Sequence, residues 1–431
     1  MNLGAELQRA LAPDQRELLR LAAGQAAAMN LHLFAVGGLP RDLILGRPAG
    51  DLDVVVEGDA IELARMLQHN HGGRLIVHPK FGTATWKRDA KGGATAVQAP
   101  GAHLDLISAR AETYAGPAQL PRVKPGTIQD DLRRRDFTMN AVAIDLDASN
   151  FGDTLDPLGG IADIRTGVIR VLHGGSFEDD PTRMFRAVRY EHRLGFHMDR
   201  RTLRLVPKAR GLIADVSAAR IRHELALLLM EDHAGKAIHR LGQLGLLGAA
   251  HRALPYGRLV VNRLNSDTRV IADSASPETE DPHTRRWLLW LMDLSAAQIR
   301  SVDRRLHFDG RLLGLLLAAS SLRRRLRQLT DAPPSKAVRV LDPLPLPAID
   351  AVSRASRSGA PGRALQKYIM DWRHVRPHTT AADLRRLGLV PGPIYAEILT
   401  ELRAKRLDGV LRDAAEEKAF LDERLRGRKS P

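Results

Sequence analysis

The sequence predicts an α+β fold: a mixed sheet with helices forms an N-terminal head, and helices alone form the rest of the chain. Three observations predict this. Strand-like runs fall within the first part of the 431-residue chain: Phe34–Val36, Asp53–Val56, Arg74–Val77, Thr83–Lys87, Thr95–Gln98, Leu104–Ile107 and Ala141–Leu146. Beyond them, apolar residues recur at helical spacing in Leu- and Arg-rich stretches. Proline and glycine interrupt that helical remainder at Asp342–Pro347 and Ser353–Pro361. A chain of this length exceeds one compact core. The expected division is a head over 1–150, a helical neck over 151–265, a helical body over 266–350 and a helical tail over 351–431.

In chain order, Leu33–Val36 reads as a short buried strand. Gly37-Gly38 lets the backbone approach a ligand without Cβ interference. Pro40 suits the first turn of a helix over Leu39–Leu45, whose free N–H groups face the glycines. Asp51–Val56 then reads as a strand, and residues two apart on a strand share a face. Asp51 and Asp53 therefore project together. Two carboxylates on one face build a poor core but suit a divalent cation such as Mg²⁺, which takes oxygen ligands. An ordinary turn and a solvated acidic strand could use the same residues. The ordered set of strand, Gly-Gly turn, short helix and Asp-x-Asp strand is harder to obtain by chance.

Asp105 sits among apolar neighbours in His103–Ser108. It either joins the other two carboxylates or faces solvent on an amphipathic strand. Ser108–Leu132 contains proline and glycine and shows no clean period, with Arg110 and Glu112 as its candidate polar residues.

Arg133-Arg134-Arg135-Asp136-Phe137-Thr138-Met139-Asn140-Ala141 comes next. Clustered arginines bind phosphates bidentately, and Asp136 and Asn140 can contact ribose hydroxyls. Asp180 is expected to cap a helix that has Pro181 as its first residue, with Arg183 on the same face. The plain reading is a cap and a salt bridge. The sharper one is a base reader. Cytosine and adenine each present an amino donor beside a ring-nitrogen acceptor, which an aspartate and an arginine complement. Guanine and uracil reverse both groups, and buried unpaired polar atoms discriminate strongly. Arg220 and Glu224, four apart, can pair along a later helix.

Composition bounds the rest. The chain has no cysteine, which excludes disulfides and thiolate-bound zinc. No apolar run is long enough to span a membrane, and the first residues lack a signal peptide's apolar core, so a cytoplasmic location is expected. Lys and Arg number 65 against 50 Asp and Glu, a net charge of +15 that points to a polyanionic partner. A GC-rich genome accounts for arginine in place of lysine, but less easily for the excess charge. Arg323–Arg327 and Arg373–Arg376 are basic clusters that suit a solvated face or a phosphate contact equally. Few aromatics lie among them, so recognition of folded RNA by shape and phosphate fits better than base stacking.

The runs Gly37–Asp42, Asp51–Gly58, Arg133–Ala141, Asp179–Arg183 and Arg220–Leu225 together resemble the polymerase-β-type nucleotidyltransferase superfamily. More closely, they resemble class II tRNA nucleotidyltransferases and bacterial poly(A) polymerases. The family writes its base-reading motif EDxxR; here the first acid is Asp179. The resemblance implies a polymerase-β-like head followed by helical neck, body and tail. It implies transfer of C and/or A to the tRNA 3′ end from CTP and ATP, without a nucleic-acid template. Asp51 and Asp53 would hold Mg²⁺, with Asp105 as a third catalytic carboxylate. Gly37, Gly38 and Arg41 would cradle the triphosphate. Arg134, Arg135, Asp136 and Asn140 would hold phosphate and ribose, and Asp180 and Arg183 would select the base, with Arg186 also in the nucleotide-binding set. Asp156–Gly160 resembles the hinge joining head to neck. Ser108–Leu132 resembles a mobile segment associated with the choice between C and A. Its Pro117–Pro121 core lacks the basic–acidic pattern expected for switching to A, which hints at partial addition. A poly(A) polymerase and a catalytically silent RNA-binding protein are the alternatives. No His-Asp dipeptide occurs, so an appended HD-type phosphohydrolase domain is not suggested.

Overall fold

Alternation along two adjacent strands organises the head. In β1 (His32–Val36), Leu33 and Ala35 enter one apolar cluster, while Phe34 and Val36 enter another. In β2 (Asp53–Glu57), Val54 and Val56 join the first cluster and Val55 the second. This is the period of two expected of a strand covered on both faces. The structure is a computed structural model that describes residues 1–48, 50, 52–88, 103–119, 121–267, 281–329, 332–356 and 359–426. Asp51 and the strand expected at Thr95–Gln98 lie outside the described residues.

The chain divides into two compact units, one of Met1–Arg220 with Gln243–Ala249, the other of Ile221–Gly242 with the residues from Ala250 onward. In the first, α1 (Gly4–Ala10), α2 (Pro13–Ala28), α3 (Gly38–Ile44) and α4 (Ala60–His71) accompany the sheet strands. These are β1, β2, β3 (Arg74–His78), β4 (Thr83–Lys87), β5 (His103–Ser108), β8 (Ala143–Asp145) and β9 (Thr154–Leu155). Among the described residues their order is β3-β4-β5-β2-β1-β8-β9. β2 pairs antiparallel with β1 and parallel with β5, and the parallel register sets Asp53 directly against Asp105. The strand expected over Ala141–Leu146 is shorter, because Thr138–Asn140 forms a 3₁₀ turn first.

Ser108–Leu132 is more regular than its sequence suggests. β6 (Arg110–Thr113) and β7 (Arg122–Pro125) form an antiparallel ribbon, followed by α5 (Ile128–Arg133). Thr127 and Asp130 satisfy each other's backbone N–H at the start of α5, a capping box in which Asp replaces the usual Glu. α5 packs Ile128 and Leu132 on the Phe34, Val36 and Val55 side of the sheet.

Next come α6 (Gly160–Thr166), α7 (Ser176–Asp179) and α8 (Thr182–Leu194). The Asp156 carboxylate accepts from Gly160 N at 2.6 Å and Ile161 N at 2.9 Å, which closes the Asp-Pro-Leu-Gly-Gly turn. Gly160 lies so close to the Thr138 carbonyl that a Cβ would meet its oxygen at 2.2 Å.

In the second unit, Trp287, Leu288, Trp290 and Leu291 are buried. The Pro-rich stretch at 342–347 breaks helix Pro334–Leu341 and, from Leu346, begins helix Leu346–Arg354, with Pro347 in its first turn. Further on, Leu384, Ile398, Leu402, Leu411 and Leu421 form a small core. Buried Glu417 accepts from the His378 and Thr379 N–H groups beneath it. Among the described residues no helix is long and apolar enough to cross a membrane.

Gly160→Ala is expected to cost about 1–3 kcal/mol, the usual range for overpacking a fixed backbone contact. A lowered urea midpoint of the wild-type-like protein would show it; an unchanged midpoint would mean that the turn can open without penalty.

Candidate functional site

The site begins at the end of β1. Gly37 has φ +74°, a left-handed backbone that suits glycine. A Cβ there would lie 3.3 Å from Arg135 Nη1 and 3.5 Å from Asp53 Oδ2. Glycine thus brings the strand end against a carboxylate on one side and a guanidinium on the other. Gly38 opens α3, and Arg41, one turn later, is buried.

Asp53 precedes Val55 by two residues and so shares its face of the sheet. Asp105 lies in register with it on the parallel neighbour. Asp105 Oδ1 accepts from Thr85 Oγ1 at 2.5 Å, and its Oδ2 lies 3.8 Å from His103 Nε2. Both carboxylates are half-exposed. They offer only oxygen, the donor set of a hard divalent cation that completes its shell with water and substrate phosphate. Among the described residues no group of three or more His, Asp or Glu side chains gathers as a metal site.

Two buried carboxylates organise the arginines opposite. Asp131, fully buried on α5, binds both Arg134 and Arg135. Oδ1 accepts from Arg134 Nε at 3.0 Å and also from its Nη2, and Oδ2 accepts from Arg135 Nη2 at 2.7 Å. Arg133, beside them, is exposed. Asp136 Oδ2 accepts from Arg186 Nε at 2.9 Å and Nη2 at 2.6 Å, while its Oδ1 accepts from Asn140 Nδ2 at 2.9 Å. Asn140 Oδ1 in turn accepts from Arg41 Nη1 at 2.6 Å. Arg41, Asn140, Asp136 and Arg186 are therefore one chain of contacts. The Tyr190 ring lies beneath it, with the guanidinium carbons of Arg41 and Arg186 at 5.4 and 5.8 Å from its centroid. Burial pushes the Asp136 carboxyl up, but the charge of Arg186, the bonds from Asn140 and Arg186 and the charge of Arg183 together hold it below its ordinary value.

Asp180 and Arg183 lie at the start of α8, where Arg183 N donates to Asp180 O at 3.1 Å. The helix begins at Thr182, one residue later than its sequence suggests, with Pro181 in the cap position. Asp180 still caps it by side chain, since Oδ1 accepts from Thr182 N at 2.9 Å. Arg183 is buried and donates to Ser176 Oγ at 2.7 Å and to the Arg134 carbonyl at 2.9 Å. Arg220, read from its spacing as a partner for Glu224, instead donates to Asp180 Oδ1 at 2.6 Å. It sits in the first turn of its helix, where side chains point back toward the preceding segment.

The ribbon contributes a part that the sequence left open. Glu112 accepts from Arg110 Nε at 3.1 Å, Arg134 Nη1 at 3.2 Å and Tyr114 OH at 3.0 Å. Burial is the main cause that pushes the Tyr114 hydroxyl up to about 12, so it stays a donor. Glu112, Tyr114, Arg134 and Arg183 line a cavity of about 190 Å³. A larger cavity of about 960 Å³ lies beside α1 and α2; Leu7, Leu11, Leu19 and Ala23 line it together with Arg16, Arg20 and the His32–Asp147 pair.

The structure thus brings together Gly37, Asp53, Asp105 and Arg135 at one end, and Arg41, Asp136, Asn140 and Arg186 in one network. Arg134 and Arg183 meet at the small cavity. Sequence reasoning missed Asp131, although its spacing of three and four to Arg134 and Arg135 was the available signal. It also missed Tyr114 and Tyr190, which nothing in the local pattern marks.

Carboxylates facing arginines across a glycine turn form a place for a polyphosphate and its counter-cation, on a sheet of nucleotidyltransferase type. Comparison with known proteins agrees. The poly A polymerase head domain model matches residues 33–170, and the model described as the probable RNA and SrmB-binding site of polymerase A matches residues 195–254. The chain is 30% identical to an A-adding tRNA nucleotidyltransferase of Halalkalibacterium halodurans, over 98% of this chain and 95% of that one. It is 36% identical to a CC-adding tRNA nucleotidyltransferase of Deinococcus radiodurans, over 54% of this chain and 59% of that one. The solved structure of a CCA-adding enzyme in an apo form aligns with a TM-score of 0.82 and 29% identity, covering 99% of both chains. The chain belongs to the tRNA nucleotidyltransferase and poly(A) polymerase family, whose members are nucleotidyltransferases and generally metal-dependent.

The lowered Asp136 pKa carries a sign. A depressed folded-state value stabilises fully above the unfolded value, about 3.9, and that stabilisation is lost as pH falls through the folded value. Asp136→Asn is therefore expected to lower the urea midpoint at pH 7, with the gap to wild type narrowing below about pH 3.9. A gap that stays constant into acid contradicts the charge account.

Proposed function

We infer that this chain adds nucleotides to the 3′ end of tRNA without a nucleic-acid template, and that adenosine from ATP is its principal product. The observation that carries the transfer reading is the in-register pair Asp53 and Asp105 facing Arg135 across Gly37. Likeness to an A-adding relative along almost the whole chain favours A over C, since the CC-adding relative aligns over about half.

In this reading the RNA 3′-hydroxyl attacks the α-phosphate of the nucleotide. A new O–P bond forms, the bond to the β-phosphate bridging oxygen breaks, and pyrophosphate leaves with the negative charge. Mg²⁺ would be held by Asp51, Asp53 and Asp105, and when bound it supplies charge neutralisation and acidifies the attacking hydroxyl. Arg41, Arg134 and Arg135 meet the phosphates with the glycine turn at Gly37 and Gly38. Asp136 and Asn140 hold the ribose with Arg186. Asp180 accepts from the base amino group, and Arg183 donates to the ring nitrogen. Arg220 keeps Asp180 aimed. In this reading the head spans 1–150, the neck 151–265, the body 266–350 and the tail 351–431, and the site of action is the cytoplasm.

The test is end extension of tRNA transcripts that stop before CCA, after C and after CC, with Mg²⁺ and CTP, ATP or both. A single A on the CC-ended transcript is expected. Extension of the shortest transcript to CCA would mean a complete CCA-adding enzyme, arrest after CC the complementary half, and a long ladder of A a poly(A) polymerase. Asp53→Ala and Asp105→Ala are each expected to slow transfer by about a hundredfold or more with tRNA affinity kept. Unchanged transfer in both would remove the carboxylates from the mechanism.

A further inference from the structure

The second unit carries a cleft of about 490 Å³ lined by His251, Arg252, Ala253, Ala297, Gln298, Ser301 and Arg304. Its hydrogen-bond polarity is one-sided. Ala253 N donates to His251 Nδ1 at 3.2 Å, so the ring proton sits on Nε2, which donates to Ser301 Oγ at 3.0 Å. Ser301 then has its hydroxyl proton to offer elsewhere. Gln298 Oε1 accepts from Ser295 N at 2.9 Å at the cap of helix Ala296–Leu306, which leaves the Gln298 amide N–H groups to donate elsewhere. No carboxylate lines the cleft. Among the described residues, Arg252 and Arg304 make no ion pair or side-chain hydrogen bond. Arg323 and Arg354 of the same unit are, by contrast, spent internally, on Asp293 at 3.0 Å and on Asp350 at 2.7 Å.

A cleft that offers donors and cations, with its acceptors already used, suits a phosphate. We propose that it is a phosphate subsite for the RNA backbone, with Arg252 and Arg304 as the charged arms and Ser301 and Gln298 as neutral donors. Burial, followed by the charges of Arg252, Arg304 and Arg305, pushes the His251 pKa down. His251 is then a neutral brace for Ser301 rather than a third cation. Two observations favour RNA over a free anion. The chain carries a net charge of +15, and the stretch matched as an RNA-binding site of polymerase A runs to residue 254, through His251 and Arg252. The proposal rests on the tRNA-transfer reading above.

The experiment measures tRNA binding by fluorescence anisotropy across a salt series, for wild type and Arg252→Ala/Arg304→Ala. Loss of one phosphate contact is expected to weaken affinity about tenfold at moderate salt and to reduce the slope of log K against log salt by about one. The turnover rate at saturating tRNA should not change. Arg252→Lys/Arg304→Lys, which keeps the charge, should recover most of the slope. Unchanged affinity and slope in the alanine variant would overturn the subsite. Titration with inorganic phosphate separates the sources: if the variant loses phosphate binding while tRNA binding is untouched, the cleft holds a free anion and the RNA assignment is wrong. Wild type is the control for the underlying reading. If it neither binds nor extends tRNA, that reading fails; if it does both and the variant matches it, this site alone fails.

Discussion

The head depends on two buried aspartates that hold arginines in place. Asp131 is closed from solvent and receives both Arg134 and Arg135; Asp136 receives Arg186 and, through Asn140, is linked to Arg41. Arginines brought together without partners would repel one another and swing into water. Paired to buried carboxylates, they stay in one orientation with donors left for a ligand. Such pairs are weak sources of stability, because desolvation opposes the Coulomb gain. Their value here is position, since a cation that is already oriented need not reorganise when an anion arrives.

The sheet supplies the opposite side. Parallel pairing of β2 with β5 sets Asp53 against Asp105 with no help from local sequence. The positive φ of Gly37 then brings the strand end within reach of Asp53 and Arg135. The Glu112 and Tyr114 ribbon contacts reach Arg134 and Arg183 from a third direction. Arg134 and Arg183 therefore share the ribbon as a neighbour, so a shift of it would be felt at both.

Much of this was legible in the sequence because the relevant spacings are local. Asp180 to Arg183 and the Asp156 turn lie within one or two helical turns, and the short apolar run at Leu33–Val36 marked a buried strand. The illegible part is long-range. The Asp53–Asp105 register spans fifty-two positions and depends on sheet topology. Arg220 looked like a partner for Glu224 because helical spacing is the only guide a sequence offers, yet a carboxylate forty residues away claims it. The Ser108–Leu132 stretch hid a ribbon because its short strands carry few apolar residues. Asp51, prominent in the sequence argument, lies outside the described residues, so its placement rests on the strand period alone.

The central claim is that Asp180 and Arg183 read the base from a rigid frame. The most direct test is the ratio of kcat/KM for ATP over GTP on CC-ended tRNA, in wild type and in Asp180→Ala. The account predicts that the ratio falls by roughly a hundredfold or more, because the alanine no longer penalises a carbonyl at the amino position. A ratio that stays at the wild-type value, with turnover still measurable, would contradict base reading by this pair and return Asp180 to the role of a helix cap.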